Sequence, residues 1–464
     1  MAIARELSRY KARIAVLEKE EESAFGVSKS NSGIIHPGTQ NSHYSLKGKL
    51  CVQGNLLFRK ISKELGMDFK QIGELIVAFT DDDILELKGI KKEAELLGVP
   101  GLRIVGSPWL REHEPNLNKD ARAALYAPTA GIVSPYRVVY DFGENALKNG
   151  VEIYLRHDVQ HIACAGDKHR FEITASGNVF RSTYLINCAG LYADDIACMS
   201  GVNDFHITPR KGEEYILDKK KQYLTNHLIF PLPTKTSKGI LVIKTADGNP
   251  MIGPTAEDSE NKEDRSTSST GFQKVLESVK KLVPVINGDD VIAYFAGLRP
   301  VAGTDFIIRR ELSVPGLITV AGIQSPGLTA APAIALMVVG LLRESGLTLK
   351  RKFIFYRHRP KSVHLFSLPV KKARALAKKN RAYGDIVCRC EMVSAQEIRD
   401  AVRRGARTMD GVKFRTRAQA GRCHGGFCST RIMKIISEET GKKLTDISKR
   451  GRGSEIVVED RADG

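Results

Sequence analysis

At 464 residues the chain has room for about two to four domains, and a composition 42% hydrophobic and 27% charged excludes a disordered polymer. No run reaches the ~18 uncharged apolar residues of a membrane span, residues 328–342 coming nearest; Arg5, Glu6 and Arg9 interrupt any signal peptide, so a cytoplasmic location is expected. The formal charge is +18, and much of it is local: residues 350–381 hold twelve Lys or Arg and no acid.

In chain order, residues 2–10 are predicted as a short helix with Ile3 and Leu7 on one face, and residues 13–17 as a buried strand ending at Glu18. An acid at that strand end is where a dinucleotide fold bonds a ribose hydroxyl; Glu18 also opens a Glu-Lys-Glu-Glu-Glu run that reads as solvated surface. The strand and G-x-G-x-x-G turn that would feed this helix do not precede Met1. The expectation is a late start or a shortened product, with a doubtful pyrophosphate cradle.

Residues 81–97 and 138–149 read as amphipathic helices, the second followed by a strand at 151–155. A β-rich stretch is expected over 157–185 with a turn at 176–178, then an apolar strand at 184–188 and a helix at 191–200. Between 206 and 300, strands are expected at 214–217 and 239–244, and an exposed polar loop at 257–269. A buried strand at 317–321 leads into a largely apolar helix at 329–343. The basic connector follows, and a last small domain opens at Asp385. This order predicts an α/β (α+β) body with a terminal module.

The basic run suits a solvated connector, an anionic membrane face or an acidic partner. No helix-turn-helix, zinc-finger or RNA-recognition signature accompanies it, so nucleic acid is not expected. Of eight cysteines, Cys51, Cys164, Cys188 and Cys198 stand among apolar neighbours and read as small buried hydrophobes. Cys388, Cys390, Cys423 and Cys428 cluster as C-x-C and Cys-His-Gly-Gly-Phe-Cys, 32 residues apart, as metal ligands do. Four thiolates serve either zinc or a [2Fe-2S] cluster with two per iron. Zinc sites usually pair ligands as C-x(2–4)-C. The C-x-C pair is expected on one iron, and the Gly425-Gly426 loop to bring Cys423 and Cys428 to the other. Ser394 and Glu397 form a predicted capping box on a helix at 394–404, and a second helix is expected at 429–440.

The segments Ile-Val-Cys-Arg-Cys-Glu at 386–391 and Gly-Arg-Cys-His-Gly-Gly-Phe-Cys at 421–428 resemble the bacterioferritin-associated-ferredoxin-like domain, which carries a [2Fe-2S] cluster. Residues 2–18, 31–38, 185–194, Gly297-Leu-Arg-Pro300 and 320–329 resemble the D-amino-acid-oxidase-like superfamily of FAD-dependent oxidoreductases. Within it the likeness is to the glycerol-3-phosphate dehydrogenase and L-2-hydroxyglutarate oxidase branches, the terminal module favouring the former. The resemblance implies a Rossmann-like FAD domain over 1–345, with a β-sheet substrate domain inserted at about 55–130 and 205–300. A connector at 346–384, a helical cluster domain at 385–445 and a tail at 446–464 complete the layout.

It further implies FAD contacts at Glu18, Ser32, Gly33, Val159, Ala189, Gly190, Gly322, Gly327, Leu328 and Thr329. His36 is the candidate base or flavin-contacting residue, and Arg299 the candidate anchor of an anionic substrate through its guanidinium. Arg210 and Lys211 are weaker candidates for the same pocket. The sequence Gly-Ile-Gln-Ser-Pro-Gly-Leu-Thr at 322–329 lacks a lysine expected of the glycerol-3-phosphate branch, and its Ser-Pro pair looks more like the hydroxyglutarate branch. The implied activity is oxidation of a small anionic secondary alcohol by FAD, with electrons leaving singly through the cluster to a partner subunit. Glycerol 3-phosphate is the expected substrate, and the alternatives are an L-2-hydroxyglutarate dehydrogenase, a non-catalytic electron-transfer subunit and an amine or amino-acid oxidase. The basic connector leaves open a peripheral contact at the inner membrane face.

Overall fold

A computed structural model describes residues 1–164, 170–234 and 238–458. Positions 165–169 of the predicted β-rich stretch and 459–464 of the tail lie outside the described residues.

The first half of the body is a layered α/β structure. The helix Ala2–Leu7 packs on the helices Pro135–Lys148 and Gly327–Glu344. Strand Ala15–Glu18 pairs in parallel with Glu152–Leu155. Strand Leu185–Asn187 pairs in parallel with Leu317–Ala321, whose other edge meets Ile307–Arg310. A separate antiparallel meander joins Val159–Cys164, Phe171–Ala175 and Asn178–Ser182. Two sequence expectations change here. The strand before Glu18 is shorter than predicted and half-buried rather than buried, because it has a partner along one edge only. Of the four scattered cysteines Cys164, Cys188 and Cys198 are exposed and Cys51 alone is buried; the exposed three sit at a strand end, beyond a strand end and on the outer side of a short helix, where apolar neighbours in sequence are not neighbours in space.

A long helix, Leu46–Leu65, was not visible in the sequence pattern. Ser45 caps its start by accepting from the Gly48 amide, and Gly66 at φ +64° ends it in the left-handed region. It runs through residue 55 and lies against Gly327–Glu344, so closely that a Cβ on Gly54 would stand 2.0 Å from the Thr329 carbonyl oxygen. Gly327–Glu344 is the one described helix with the length and apolarity of a bilayer span. The sequence reading missed that length; the helix instead forms core through Ala330, Ala333, Ile334 and Val338.

The second half is a nine-stranded sheet whose strands fall between Glu74 and Ala127 and between Thr208 and Val301. Its spine is the antiparallel pair Thr208–Leu217 and Val291–Val301, longer than the predicted strand at 214–217. The helix Ser269–Leu282 buries Val275, Val279 and Leu282 against it.

The terminal module folds around its own core of Val387, Val393, Ile398, Val402, Met409, Val412, Ile432 and Ile436. Its helices are Ala395–Arg403, opened by the Ser394–Glu397 capping box as expected, then Met409–Thr416 and Ser429–Thr440. It is clamped to the body. Arg415 Nη1 donates to Glu22 Oε2 at 2.8 Å with both side chains buried, and a Cβ on Gly411 would collide with Glu22 Oε1 at 2.1 Å. Phe414 packs between Phe25 and Tyr136. The basic connector is not a free solvated linker. Arg359 is buried between Asp141 and Glu144, at 3.0 and 2.6 Å, because a charge taken from water needs its counter-ions close.

Candidate active site and cluster site

The loop after Glu18 is tied to the first turn of Gly327–Glu344. The His36 amide donates to Thr329 Oγ1 at 2.9 Å, and the same hydroxyl donates to the Ile34 carbonyl at 3.3 Å. Thr329 is fully buried, so its side chain fastens loop to helix. The His36 ring lies 3.4 Å by Nε2 from Ser325 Oγ and edge-on to Phe230. Burial, with the Lys238 charge adding to it, holds the imidazole well below its usual 6.5. His36 is therefore neutral near pH 7 and able to accept a proton.

Three ionisable groups that the sequence did not single out lie in the same network: Lys238, whose charge acts on the ring, Glu74, which acts on Lys238, and Glu214, bonded to Ser32 of the His36 loop. Burial pushes the Lys238 ammonium down, with Cys51 and Glu74 opposing. Burial raises Glu74 to about 7 against a hydrogen bond from Thr39. Burial likewise raises Glu214 to about 7 against Ser32 and Arg299. Ser32 Oγ donates to Glu214, which links the 31–38 loop to the strand carrying Arg210 and, across the register, to Arg299. Lys238 and Glu74 lie in irregular segments or strands remote in sequence from His36, with no motif to mark them.

Arg299 stands on the Val291–Val301 strand. Its Nη2 donates to the Thr255 carbonyl, and Gly212 leaves it room: a Cβ there would be 2.4 Å from Nη2. Burial lowers its pKa while Glu214 opposes, and a guanidinium stays charged throughout. Arg210 and Lys211 do not join it. They are spent on Asp258 at 2.5 Å and Asp264 at 2.8 Å.

The remaining predicted residues stand at strand ends, at a helix start and in close packing positions. Glu18 ends its strand and accepts from the Glu20 amide at 3.0 Å, with burial raising its carboxyl. Val159 packs with Leu17 beside it. Gly190, at φ +62°, has open space where a Cβ would sit, and Ala189 before it is exposed. The N–H groups of Leu328 and Thr329 open their helix with no acceptor among the described residues. Gly33, Gly322 and Gly327 act through packing: a Cβ would meet the Val133 carbonyl oxygen at 2.3 Å, Ala302 Cβ at 3.0 Å and Ile323 Cγ2 at 2.6 Å.

In the terminal module the four thiols stand as two close pairs, each joining one motif to the other. Cys390 Sγ is 3.6 Å from Cys423 Sγ, and Cys428 hydrogen-bonds Cys388, pushing that thiol down to about 6 and its own up. The antiparallel Ile386–Cys388 and Val393–Ser394 pair folds the first motif back on itself, so each of its thiols faces a different end of the Cys423–Cys428 loop. Gly421 permits this: a Cβ there would stand 2.3 Å from Cys390 Cβ. Among the described residues no three metal-ligating side chains converge on one point. Two pairs of thiols match a binuclear cluster, which takes two thiolates per iron.

The sequence profile of the FAD dependent oxidoreductase family matches residues 1–341. The chain belongs to that family. A BFD-like [2Fe-2S] binding domain matches residues 386–438, so this flavoprotein carries both FAD and a [2Fe-2S] cluster. It is 40% identical over 460 residues to a glycerol 3-phosphate dehydrogenase of Caloramator mitchellensis, covering 98% of this chain and 95% of that one. It is 33% identical over 256 residues to the mitochondrial L-2-hydroxyglutarate dehydrogenase of Bos taurus, covering 52% and 55%. The structure superposes on the dithionite-reduced, FAD-bound L-alpha-glycerophosphate oxidase of Mycoplasma pneumoniae with TM-score 0.73 and 29% identity, over 77% of this chain and 94% of that one. The open space at Gly190, the free amides of Leu328 and Thr329 and the carboxylate of Glu18 fit a flavin nucleotide. The paired thiols fit the cluster.

Proposed function

We propose that this flavoprotein oxidises glycerol 3-phosphate to dihydroxyacetone phosphate and passes the electrons on through its [2Fe-2S] cluster. The observation that carries the reading is a pair of basic side chains at the His36 loop: Lys238, whose charge acts on the His36 ring, and Arg299, on the strand pair that Glu214 ties to the same loop through Ser32. The lysine absent from residues 322–329 is thereby supplied from another element, and a phosphate dianion has two positive groups to meet it. The match to the Caloramator protein over nearly the full length of both chains supports the same substrate.

Bound FAD would supply a two-electron acceptor, and the cluster a one-electron exit. The chain's residues do the rest. Arg299 and Lys238 hold the phosphate. His36, neutral through burial, takes the hydroxyl proton at its ring nitrogen as the carbon–hydrogen bond is broken. Glu214, protonated up to about pH 7, leaves Arg299 free to meet the substrate anion without an internal carboxylate competing. The exposed Cys390 and Phe427 edge of the terminal module is the exit to an electron-accepting partner. Cluster thiols suit a reducing compartment, and we assign the protein to the cytoplasm.

A second reading, oxidation of L-2-hydroxyglutarate, is favoured by the Ser325-Pro326 pair and by the partial likeness to the Bos taurus enzyme, over 52% of this chain. Steady-state assay with an artificial one-electron acceptor, over glycerol 3-phosphate, L-2-hydroxyglutarate and a panel of amino acids, decides. Turnover of the phosphate ester well above the others is expected. Preference for the dicarboxylate, or for an amine, would overturn the assignment.

A further inference from the structure

The connector carries a feature that neither catalysis nor cluster binding uses. Phe353 is 100% exposed, Ile354 62% and Tyr356 52%, in a chain whose other apolar side chains mostly find cover. This exposure is not slack backbone. On one side the Lys352 amide donates to the Arg9 carbonyl at 2.8 Å, and the Lys352 ammonium to the Asn149 carbonyl at 2.6 Å. On the other, the Tyr356 amide donates to Asn149 Oδ1 at 2.8 Å, and Asn145 Nδ2 to the Tyr356 carbonyl at 2.9 Å. Between these anchors Phe355 turns inward beneath Arg9, 4.5 Å from its guanidinium. Phe353 and Ile354 are left facing solvent between the anchors.

The surroundings are cationic. A bridge between Tyr10 and Arg351, with the Lys11 amide bonded to the Lys350 carbonyl at 2.8 Å, brings the N-terminal basic residues beside the connector. Lys11, Arg13, Lys350, Arg351 and Arg357 are all exposed around this pair. Of the acids beside it, Glu6 is held by Arg9 at 2.8 Å, and Glu64, held by Arg5 at 2.7 Å, stands 3.9 Å from Arg357.

We infer that this patch docks the protein on an anionic membrane surface, Phe353 and Ile354 entering the headgroup boundary and the ring of Lys and Arg meeting lipid phosphates. An apolar pair inside a cationic collar is the arrangement that gains from both parts of such an interface. A nucleic acid would reward the charges and stack on one aromatic ring, but offers nothing to Ile354. A folded acidic protein would need a matching cavity for the pair.

The test is co-sedimentation of the full-length holoprotein with phosphatidylcholine vesicles, with and without phosphatidylglycerol, at low and high salt. Binding only to the anionic vesicles, released as salt screens the charges, is expected. F353S/I354S should bind at least about tenfold more weakly. K350Q/R351Q should lose about fivefold per charge, the equivalent of the ~1 kcal/mol a basic residue gains near such a surface. Dye-coupled turnover should be unchanged in both variants. Equal affinity for neutral vesicles, no binding at low salt, undiminished binding by F353S/I354S, or a self-associated form in which Phe353 is protected from solvent would each overturn the inference.

Discussion

His36 owes its chemistry to burial, and its neighbours owe theirs to the same cause. The ring stays neutral well below pH 6.5, so the acid limb of kcat/KM assigned to it should fall below that value and vanish in His36→Gln. That variant should keep its flavin spectrum and lose about 10²–10⁴ in kcat; activity within a few-fold of the parent would remove His36 as the base. Lys238→Ala should raise KM for the phosphate ester far more than it lowers kcat, which a substrate titration reads directly. Glu214 gives a stability signature. Its folded pKa of about 7 lies above the 4.5 of an ordinary glutamate, so the folded state binds the extra proton and stability falls as pH rises from about 4.5 to 7. Glu214→Gln keeps a partner for Ser32 and should flatten that fall, gaining up to ~3 kcal/mol at pH 8 and nothing at pH 4.5 in denaturant titrations. At this scale the sequence exposed the residues that sit in recognisable runs, such as His36, Arg299 and the four thiols. It hid Lys238, Glu74 and Glu214, because a buried charge in a strand or loop has the same letters as a solvated one.

The helix Leu46–Leu65 and the helix Gly327–Glu344 are the pair that fixes where His36 stands, since Thr329 at their contact holds the His36 amide. Gly54→Val should therefore cost about 3 kcal/mol through overpacking and reduce flavin affinity together with stability; a melting curve matching the parent would mean the helices part without cost. The first of these helices was illegible because Gly, Asn, Ser and Glu interrupt its buried face, whereas the capping box at Ser394 and the apolar run at 329–343 announced theirs. Strand Thr208–Leu217 was read at less than half its length, its outer half being Thr-Pro-Arg-Lys-Gly. Tertiary pairing with Val291–Val301 supplies what local propensity does not.

Across the whole molecule, the cluster module and the flavin body behave as one unit because their contacts are buried and charged. Glu22 accepts from Arg415 and faces Gly411, while Arg417 meets Asn249 at 2.9 Å. Glu22→Gln strands a buried guanidinium, which costs about 3–5 kcal/mol; it should loosen the module, slowing cluster reduction by substrate while leaving direct reduction of a dye by the flavin largely intact. The presence of two modules was plain from the cysteine spacing and the strand–helix order. Their docking was not, since Glu22 and Arg415 lie almost four hundred residues apart and neither belongs to a motif.

The central claim is that substrate electrons enter at the flavin and leave through the cluster in one chain. Anaerobic stopped-flow absorption after mixing the holoprotein with glycerol 3-phosphate tests it most directly. The account predicts flavin bleaching first, then loss of the thiolate-to-iron band at a rate independent of protein concentration. Bleaching of the flavin with a cluster band that never changes, or changes only as protein concentration rises, would contradict it.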